Sequence, residues 1–245
     1  MANGCGRGLG GASWCGDRRP TWPSIQPVTE EIGLRVLSGR RIVRCMTVVL
    51  TIAAAGERPE LCVRPWLAVD MPDLLTAMAR EYADRGLWSH PDIDVPGPQR
   101  WTGPRNQAEA VLWLAGQERG WAGGDWLTFA VLDAARKTVA GHVGLKNRDG
   151  GRVGTGERGE IGFWTAPDAR GRGIAPTAVR AVTDWAFRSF GATGLPCIML
   201  VHDVENAASC RVAAKSGYPF GELSPANPPY WLTDGHIHLA EATAR

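Results

Sequence analysis

The alternation of apolar and polar positions becomes regular only from about residue 60 of the chain. Leu61–Trp66 alternates with the two-residue period of a strand, and residues 70–82 repeat with helical spacing. Asn106–Trp121 has an apolar stripe and capping residues at both ends, which predicts a helix. Residues 83–104 are rich in proline and glycine and are predicted as a loop.

The second half of the chain switches repeatedly between strand and helix patterns. Strands are predicted at residues 127–132, 139–145, 159–165, 197–202, 218–223 and 237–240. Helices are predicted at residues 173–190 and 205–216. The predicted order is therefore two helices, a run of strands, and then two strand–helix units.

The first 45 residues differ from the rest, because they are rich in Gly, Arg and Trp and show no sustained apolar period. We expect residues 1–45 to be a disordered or weakly ordered extension, with a small capping element as the alternative. An upstream start codon would explain this segment, since Met46 begins a more ordinary stretch. Residues 46–59 are assigned to a linker and residues 60–245 to one domain.

Composition excludes several classes of protein. A net charge of +2 and the absence of a long basic run argue against nucleic-acid binding. The longest apolar run, residues 46–55, is too short to cross a bilayer, and as a signal peptide it begins too far into the chain. Six scattered cysteines without a Cys-x-x-Cys pair indicate free thiols in a reducing compartment. We therefore expect a cytoplasmic protein with neither a nucleic-acid nor a membrane partner.

A glycine- and arginine-rich loop between a predicted strand and a predicted helix carries the first chemical signal. The first amides of a helix have no partner within it, so Gly171 and Gly173 would let a phosphate approach them closely. Arg170 and Arg172 would add positive charge. The loop lacks the Lys-Ser/Thr of a P-loop and the third glycine of a dinucleotide fingerprint. An ordinary surface loop is the alternative interpretation.

Two segments resemble one known family. Arg170-x-x-Gly173-x-Ala175 resembles the acyl-CoA pyrophosphate loop of the GNAT superfamily of N-acetyltransferases. About thirty residues later, a strand, Asn206-x-x-Ser209, a helix and Gly-Tyr218 resemble the second cofactor segment of that family. The resemblance covers about residues 60–242 and is greatest to the ribosomal-protein-alanine (RimJ/RimL-like) branch.

The resemblance implies an α/β (α+β) fold with a mixed, mostly antiparallel twisted sheet of about six or seven strands and about four helices. It implies acetyl-CoA as acyl donor, no metal, and transfer to a primary amine of a protein N-terminus or of a small molecule. A monomer or a homodimer is expected. A non-catalytic acyl-CoA-binding or regulatory module is the alternative, because Ala213 stands where many family members have a tyrosine as general acid.

The resemblance also assigns residues to the cofactor. The residues expected to bind acetyl-CoA are Phe163, Trp164, Thr165, Arg170, Gly171, Arg172, Gly173, Ile174, Ala175 and Asn206. In the family, backbone amides of the strand at 163–165 face the acetyl carbonyl. Asn206 would hold the pantetheine arm, or cap a helix, or do both.

Acetyl transfer also needs a base for the amine proton and an acid for the departing thiolate. Glu160, on the strand before the loop, is the candidate base, and a structural pair with Arg158 or Arg170 is its alternative role. Ser209 is the candidate acid, with water as the alternative; a weak catalyst would have neither.

The remaining polar and aromatic residues give weaker signals. His236 and His238 share a strand face, as in some metal sites, but no third ligand is evident and we expect solvent-facing histidines. His142 and His202 are expected to be packed core histidines, although His202 could assist with protons. Tyr218 is expected in the core. The acceptor is expected to contact residues 83–126, where several tryptophans lie: Trp88, Trp101, Trp113, Trp121 and Trp126.

Overall fold

The computed structural model describes residues 48–85, 103–191, 194–226 and 233–242. The predicted N-terminal extension and most of the predicted loop at 83–104, with Trp88 and Trp101, lie outside these residues. Within the described ranges, no helix combines the length and the apolar character needed to cross a membrane.

The described residues form eight strands and four α-helices. The helices are α1 (Met71–Arg85), α2 (Gln107–Gly123), α3 (Ile174–Phe190) and α4 (Ala207–Lys215). The strands are β1 (Leu50–Ile52), β2 (Leu61–Pro65), β3 (Trp126–Asp133), β4 (Thr138–Asn147), β5 (Arg158–Thr165), β6 (Cys197–Asp203), β7 (Phe220–Ser224) and β8 (Gly235–Glu241). Every predicted strand and helix is present, with bounds shifted by a few residues.

All eight strands belong to one sheet in the order β1-β2-β3-β4-β5-β6-β8-β7. Only β5 and β6 run parallel, while the other neighbours are antiparallel. The predicted mixed, mostly antiparallel sheet with four helices is therefore confirmed. The last hairpin departs from chain order, because β8 inserts between β6 and β7.

The extra strand, β1, lies inside the segment predicted as a linker. It pairs antiparallel with β2 and buries Leu50 and Ile52 completely or nearly so. The pattern did not show it, because three residues within a continuous apolar run do not establish a two-residue period. Residues 50–52 thus belong to the sheet, which corrects the linker assignment for that stretch.

Local sequence explains the ends of α2. The side chain of Asn106 accepts a hydrogen bond from the backbone N–H of Glu109 at 2.9 Å, which caps the first turn. Gly124 ends the helix with a φ of 75°, a left-handed conformation that glycine adopts without steric cost. Capping residues therefore define both ends of this helix.

One face of the sheet packs against α3 through aromatic residues. Trp185 of α3 meets Phe129 of β3 at 5.3 Å between ring centroids, and Trp121 of α2 contacts both rings. Tyr218 is fully buried below α3, where its hydroxyl lies 2.5 Å from that of Thr183. The predicted core position of Tyr218 is confirmed, and it is no candidate for proton transfer.

The opposite face carries a second aromatic cluster around His142 of β4. Trp66 donates its indole N–H to His142 Nδ1 at 3.0 Å, and Trp113 of α2 contacts both rings. Burial lowers the pKa of His142 to about 3, because the charged ring would lose its hydration. His142 is thus a neutral core residue, as predicted.

This burial predicts a pH dependence of stability. The unfolded chain takes up a proton on His142 below about pH 6.5, whereas the folded chain does so only near its pKa of about 3. The free energy of unfolding should therefore decrease as the pH is lowered through this interval, by up to about 1.4 kcal/mol per pH unit from this residue. In His142→Asn the amide oxygen can still accept the hydrogen bond from Trp66. Because asparagine does not titrate, the contribution of residue 142 to the pH dependence of stability should disappear.

Urea unfolding at pH 7 and pH 5 measures both slopes. The comparison uses the change between the two pH values within each protein, so a constant loss of stability in the variant does not affect it. Equal slopes in the wild type and the variant would contradict the neutral state of His142.

Candidate functional site

The candidate site lies where β5 and β6 separate. The two strands pair in parallel over only four positions, from Arg158 with Cys197 to Ile161 with Leu200. Beyond Ile161, β5 stays paired with β4, and beyond Leu200, β6 stays paired with β8. The gap that opens between them is called the cleft below.

Backbone direction decides which groups face the cleft. Ala166 donates its N–H to Ala140 at 2.9 Å, toward β4, and in an antiparallel ladder every second residue points the same way. The N–H of Trp164 therefore points into the β4 ladder, which corrects its expected role as a cofactor donor. Phe163 and Thr165 point their N–H groups the other way, into the cleft.

The glycine- and arginine-rich loop leads from the cleft into α3. Gly171 and Gly173 have φ values of 77° and 72°, so both positions adopt the left-handed conformation. Gly173 is the N-cap of α3, and no side chain of the described residues caps the helix there. The first helical residues, Ile174 and Ala175, thus present backbone N–H groups, while the Ile174 side chain is buried in the core.

Both arginines of the loop are held by carboxylates of the protein. Arg170 pairs with Glu81 of α1 and donates to the Thr165 carbonyl at 3.3 Å. Arg172 lies 3.1 Å from Asp133, which is almost fully buried at the end of β3. A phosphate bound by either guanidinium must therefore compete with a carboxylate.

The structure adds an arginine that the sequence did not single out. The side chain of Arg58 lies 4.0 Å from the position that a Cβ on Gly173 would occupy. Burial lowers the pKa of Arg58. No pattern in the sequence points to Arg58, because it lies in the predicted linker and belongs to no motif.

A cavity of about 280 Å³ lies on the other side of the loop, between α1 and the β3–β4 turn. Its charged lining residues are Asp73, Arg80, Asp133, Arg136, Asp168 and Arg172. Arg80 and Asp168 pair across it and so join α1 to the start of the loop. The cavity therefore adjoins the arginines of the loop and is separate from the cleft.

Glu160 lies on β5, just before the strands separate, with its side chain 13% exposed. Lys146 of β4 lies 3.0 Å from one carboxylate oxygen, and Arg148 contacts the other. The expected structural partners were different ones: Arg158 pairs with Asp149 instead, and Arg170 with Glu81. When Glu160 accepts a proton, the oxygen that takes it also contacts Lys146 or Arg148.

The second cofactor segment begins at the head of α4. The side-chain oxygen of Asn206 accepts the backbone N–H of Ser209 at 3.0 Å, so the helix-cap role is confirmed. This cap uses only the oxygen, and the Asn206 amide nitrogen remains exposed as a donor. Ser209 is partly exposed, whereas Ala213 is fully buried one turn later.

The histidines of β8 do not face solvent, which corrects that prediction. His238 is only 4% exposed and His236 is partly buried. His202 of β6 and Cys210 of α4 lie beside them on the same face of the sheet. Burial lowers the pKa of His202 and of His238, so both rings are neutral at pH 7. The core position expected for His202 is confirmed.

Several solved structures share this fold. The ribosomal-protein-S5-alanine acetyltransferase of Vibrio fischeri superposes with a TM-score of 0.59 at 18% identity, over 75% of this chain and 93% of that one. RimJ of Mycobacterium smegmatis, in complex with CoA-disulfide, gives 0.58 at 19% identity over 75% and 83%. The microcin C7 self-immunity acetyltransferase MccE, in complex with acetyl-CoA and AMP, gives 0.57 at 15% over 76% and 94%.

Sequence comparison identifies the family directly. No curated protein matches the chain. The family model for the acetyltransferase (GNAT) domain matches residues 60–219, which include β5, the loop, β6 and α4. The predicted activity, acetyl transfer from acetyl-CoA to an amine, follows from this match and is confirmed. The chain belongs to the GNAT family of acetyltransferases.

Proposed function

We propose that the protein acetylates primary amines in a ternary complex, with a protein N-terminus as the first candidate acceptor and a small-molecule amine as the second. The observation that carries the proposal is the cleft between β5 and β6, which leads directly to the uncapped start of α3. An extended ligand ending in phosphate can span both features.

Each part of acetyl-CoA has a partner in this arrangement. The N–H groups of Phe163 or Thr165 receive the acetyl carbonyl, because they point into the cleft. The pantetheine arm passes the exposed amide nitrogen of Asn206. The pyrophosphate contacts the first amides of α3 at Gly173 and Ile174. The cavity beside the loop lies next to this phosphate position and can take a part of the ligand that continues past it.

The chemical step then follows from these positions. The amine nitrogen attacks the thioester carbon, and its proton goes to Glu160 directly or through a water. The oxyanion that forms is stabilised by the N–H of Phe163 or Thr165. The carbon–sulfur bond breaks, and the CoA thiolate takes a proton from Ser209 or from water. The buried Ala213 cannot supply this proton.

Support for a protein acceptor is of a different kind. Two of the similar folds carry names that refer to ribosomal proteins: the S5-alanine acetyltransferase of Vibrio fischeri, and RimL, a ribosomal L7/L12 α-N-protein acetyltransferase, matched at 15% identity. At such identities the likeness shows the fold alone. We keep the cytoplasm as the proposed compartment, since Cys62 and Cys210 are free thiols.

The first test removes the candidate base. Glu160→Gln should lower kcat by about 100-fold or more while the Kd for CoA is unchanged, because general-base catalysis typically contributes about 10²–10⁴-fold. The deficit should shrink as the pH rises, since the amine then loses its proton to the solvent. Thiol release from acetyl-CoA, measured with N-terminal peptides and with a panel of small amines, gives the rate and identifies the acceptor.

Asp149→Asn is the matched control, since Asp149 is an exposed carboxylate that also pairs with an arginine close to β5. Its kcat should match the wild type. If Glu160→Gln keeps its rate and loses only stability, then Glu160 is a structural partner of Lys146 and Arg148. Turnover with small amines alone would exclude the protein N-terminus.

The second test concerns the competition for Arg170. Glu81→Gln removes the carboxylate that pairs with Arg170 and should lower the Kd for CoA roughly fivefold, or about 1 kcal/mol. Asp168→Asn removes a negative charge next to the loop without releasing Arg170, so its effect should be smaller. Isothermal titration with CoA measures both variants. Weaker binding in Glu81→Gln would show that Glu81 orients Arg170 for the ligand.

The third test addresses the loop conformation. Gly173→Ala should lower the free energy of unfolding by about 1–2 kcal/mol, because an alanine is strained at a positive φ, and it should weaken CoA binding. Gly191→Ala changes the other end of α3, where φ is −58° and no atom lies close, and should change neither quantity. A Kd for CoA unchanged by Gly173→Ala would remove the loop from the binding site.

A further inference from the structure

Four side chains of the kinds that ligate metals meet on the α4 face of the sheet, and none of them is assigned a role in acetyl transfer. His202 comes from β6, Cys210 from α4, and His236 and His238 from β8. One ligand atom from each lies within 4.8 Å of the others. We call this group the His₃Cys cluster.

The fold brings these residues together by register. In the antiparallel pairing of β6 with β8, His202 lies directly opposite His236, and Leu200 opposite His238. Residues two apart share a face, so all three imidazoles are on one side of the sheet. Cys210 lies in the first half of α4, the helix that follows β6, and its Sγ contacts Nδ1 of His236.

Three of the ligand-atom distances are close to those of a tetrahedral zinc site. His202 Nε2 lies 3.2 Å from His238 Nε2. Cys210 Sγ lies 3.2 Å from His236 Nδ1 and 3.8 Å from His238 Nε2. Tetrahedral bonds of about 2.0–2.1 Å to nitrogen and 2.3 Å to sulfur place two nitrogens about 3.3 Å apart, and nitrogen and sulfur about 3.6 Å apart. The remaining pairs lie within 4.8 Å of each other, so metal binding has to draw these ligand atoms closer together.

Hydrogen bonds assign the protons of two rings. His202 Nδ1 lies 2.7 Å from the Asp203 carbonyl, and His238 Nδ1 lies 3.2 Å from the Tyr218 carbonyl. A carbonyl only accepts, so in each neutral ring Nδ1 carries the proton and Nε2 presents a lone pair. The two Nε2 atoms face each other at 3.2 Å, so a proton or a metal ion between them is needed to relieve the contact of two lone pairs.

The same hydrogen bonds are those that orient histidine ligands in metal sites. A ligating histidine usually donates its other ring N–H to a carbonyl or a carboxylate, which fixes its orientation. His202 and His238 are already held in this way and are buried, while His236 and Cys210 are partly exposed and leave a route of entry. The cluster is therefore arranged for a cation before one arrives.

We propose that the His₃Cys cluster binds one Zn²⁺ in tetrahedral coordination. The ligand atoms are Nε2 of His202, Nδ1 of His236, Nε2 of His238 and the Cys210 thiolate. On binding, the Cys210 thiol releases its proton to solvent and a zinc–sulfur bond forms, without a change of oxidation state. Four protein ligands leave no position open, so the ion is structural and takes no part in acetyl transfer.

The bound ion joins α4 to β6 and β8. Cys210 is four residues after Asn206, and its N–H bonds to the Asn206 carbonyl at 3.3 Å. Zinc at Cys210 thus holds the helical turn that carries the candidate pantetheine contact. Metal removal should lower the melting temperature and loosen this wall of the cleft.

The test is metal binding to the full-length protein, with readouts that do not depend on turnover. Purified protein is treated with a chelator, incubated with Zn²⁺ and freed of excess metal by gel filtration. Elemental analysis should give one zinc per chain. Co²⁺ in place of Zn²⁺ should give the intense visible bands of a tetrahedral site and a thiolate-to-cobalt charge-transfer band.

Cys210→Ser and His238→Asn should raise the Kd for Zn²⁺ by more than about 100-fold, because even the loss of a ligand's hydrogen-bond partner typically costs 10–100-fold. Cys210→Ser should also abolish the charge-transfer band. Cys62→Ser is the matched control, since Cys62 is a partly buried free thiol on β2. It should bind zinc as the wild type does. Chelator should lower the melting temperature of wild type and Cys62→Ser but not that of Cys210→Ser.

Two results would overturn the proposal. One is the absence of stoichiometric metal in the wild type. The other is a thiolate-to-cobalt charge-transfer band that persists in Cys210→Ser, which would assign the metal to another thiol such as Cys5, Cys15 or Cys45. CoA binding by each variant shows that it is folded, so a folding failure cannot imitate loss of the site.

Discussion

The short parallel pairing of β5 with β6 is the constraint on which the site depends. Four residue pairs join the two halves of the sheet, and after Ile161 and Leu200 each strand stays paired only on its outer side. Because β4 and β8 hold those outer edges, the strands cannot close again without breaking antiparallel ladders. The cleft is therefore a permanent feature of the backbone, and its width depends on the elements that hold its walls.

Three sets of contacts hold these walls. Aromatic packing between Trp185 and Phe129 fixes α3 against the antiparallel half of the sheet. The buried carboxylate of Asp133 ties the β3–β4 turn to Arg172 of the loop. On the other wall, the His₃Cys cluster links α4 to β6 and β8. Aromatic packing, an ion pair and the proposed metal site thus each hold a different part of the walls along which the ligand would lie.

The sequence predicted those features that local chemistry determines. Two glycines in a strand-to-helix loop predicted a backbone that can approach a ligand closely, and capping residues at both ends predicted the helix at Asn106–Trp121. Contacts between distant residues could not be predicted in this way. The pairing of Arg170 with Glu81 joins residues 89 positions apart, so nothing near the loop reveals it.

The histidines of β8 show the same limit most clearly. Their two-residue spacing predicted a shared face, but the further ligands depend on β8 lying between β6 and β7, out of chain order. Local patterns do not specify strand order. The direction of the Trp164 N–H was predicted wrongly for a related reason. Trp164 was grouped with Phe163 and Thr165, although alternation along β5 turns its N–H toward β4.

The open edge of β5 also has a consequence for the protein without its ligand. Among the described residues, no strand pairs with Phe163 and Thr165 on the cleft side, and an unpaired strand edge is a template for pairing with another chain. Acetyl-CoA, running along this edge, would act as a substitute for the missing strand. Covering the edge in this way would make self-association of the protein depend on the supply of CoA.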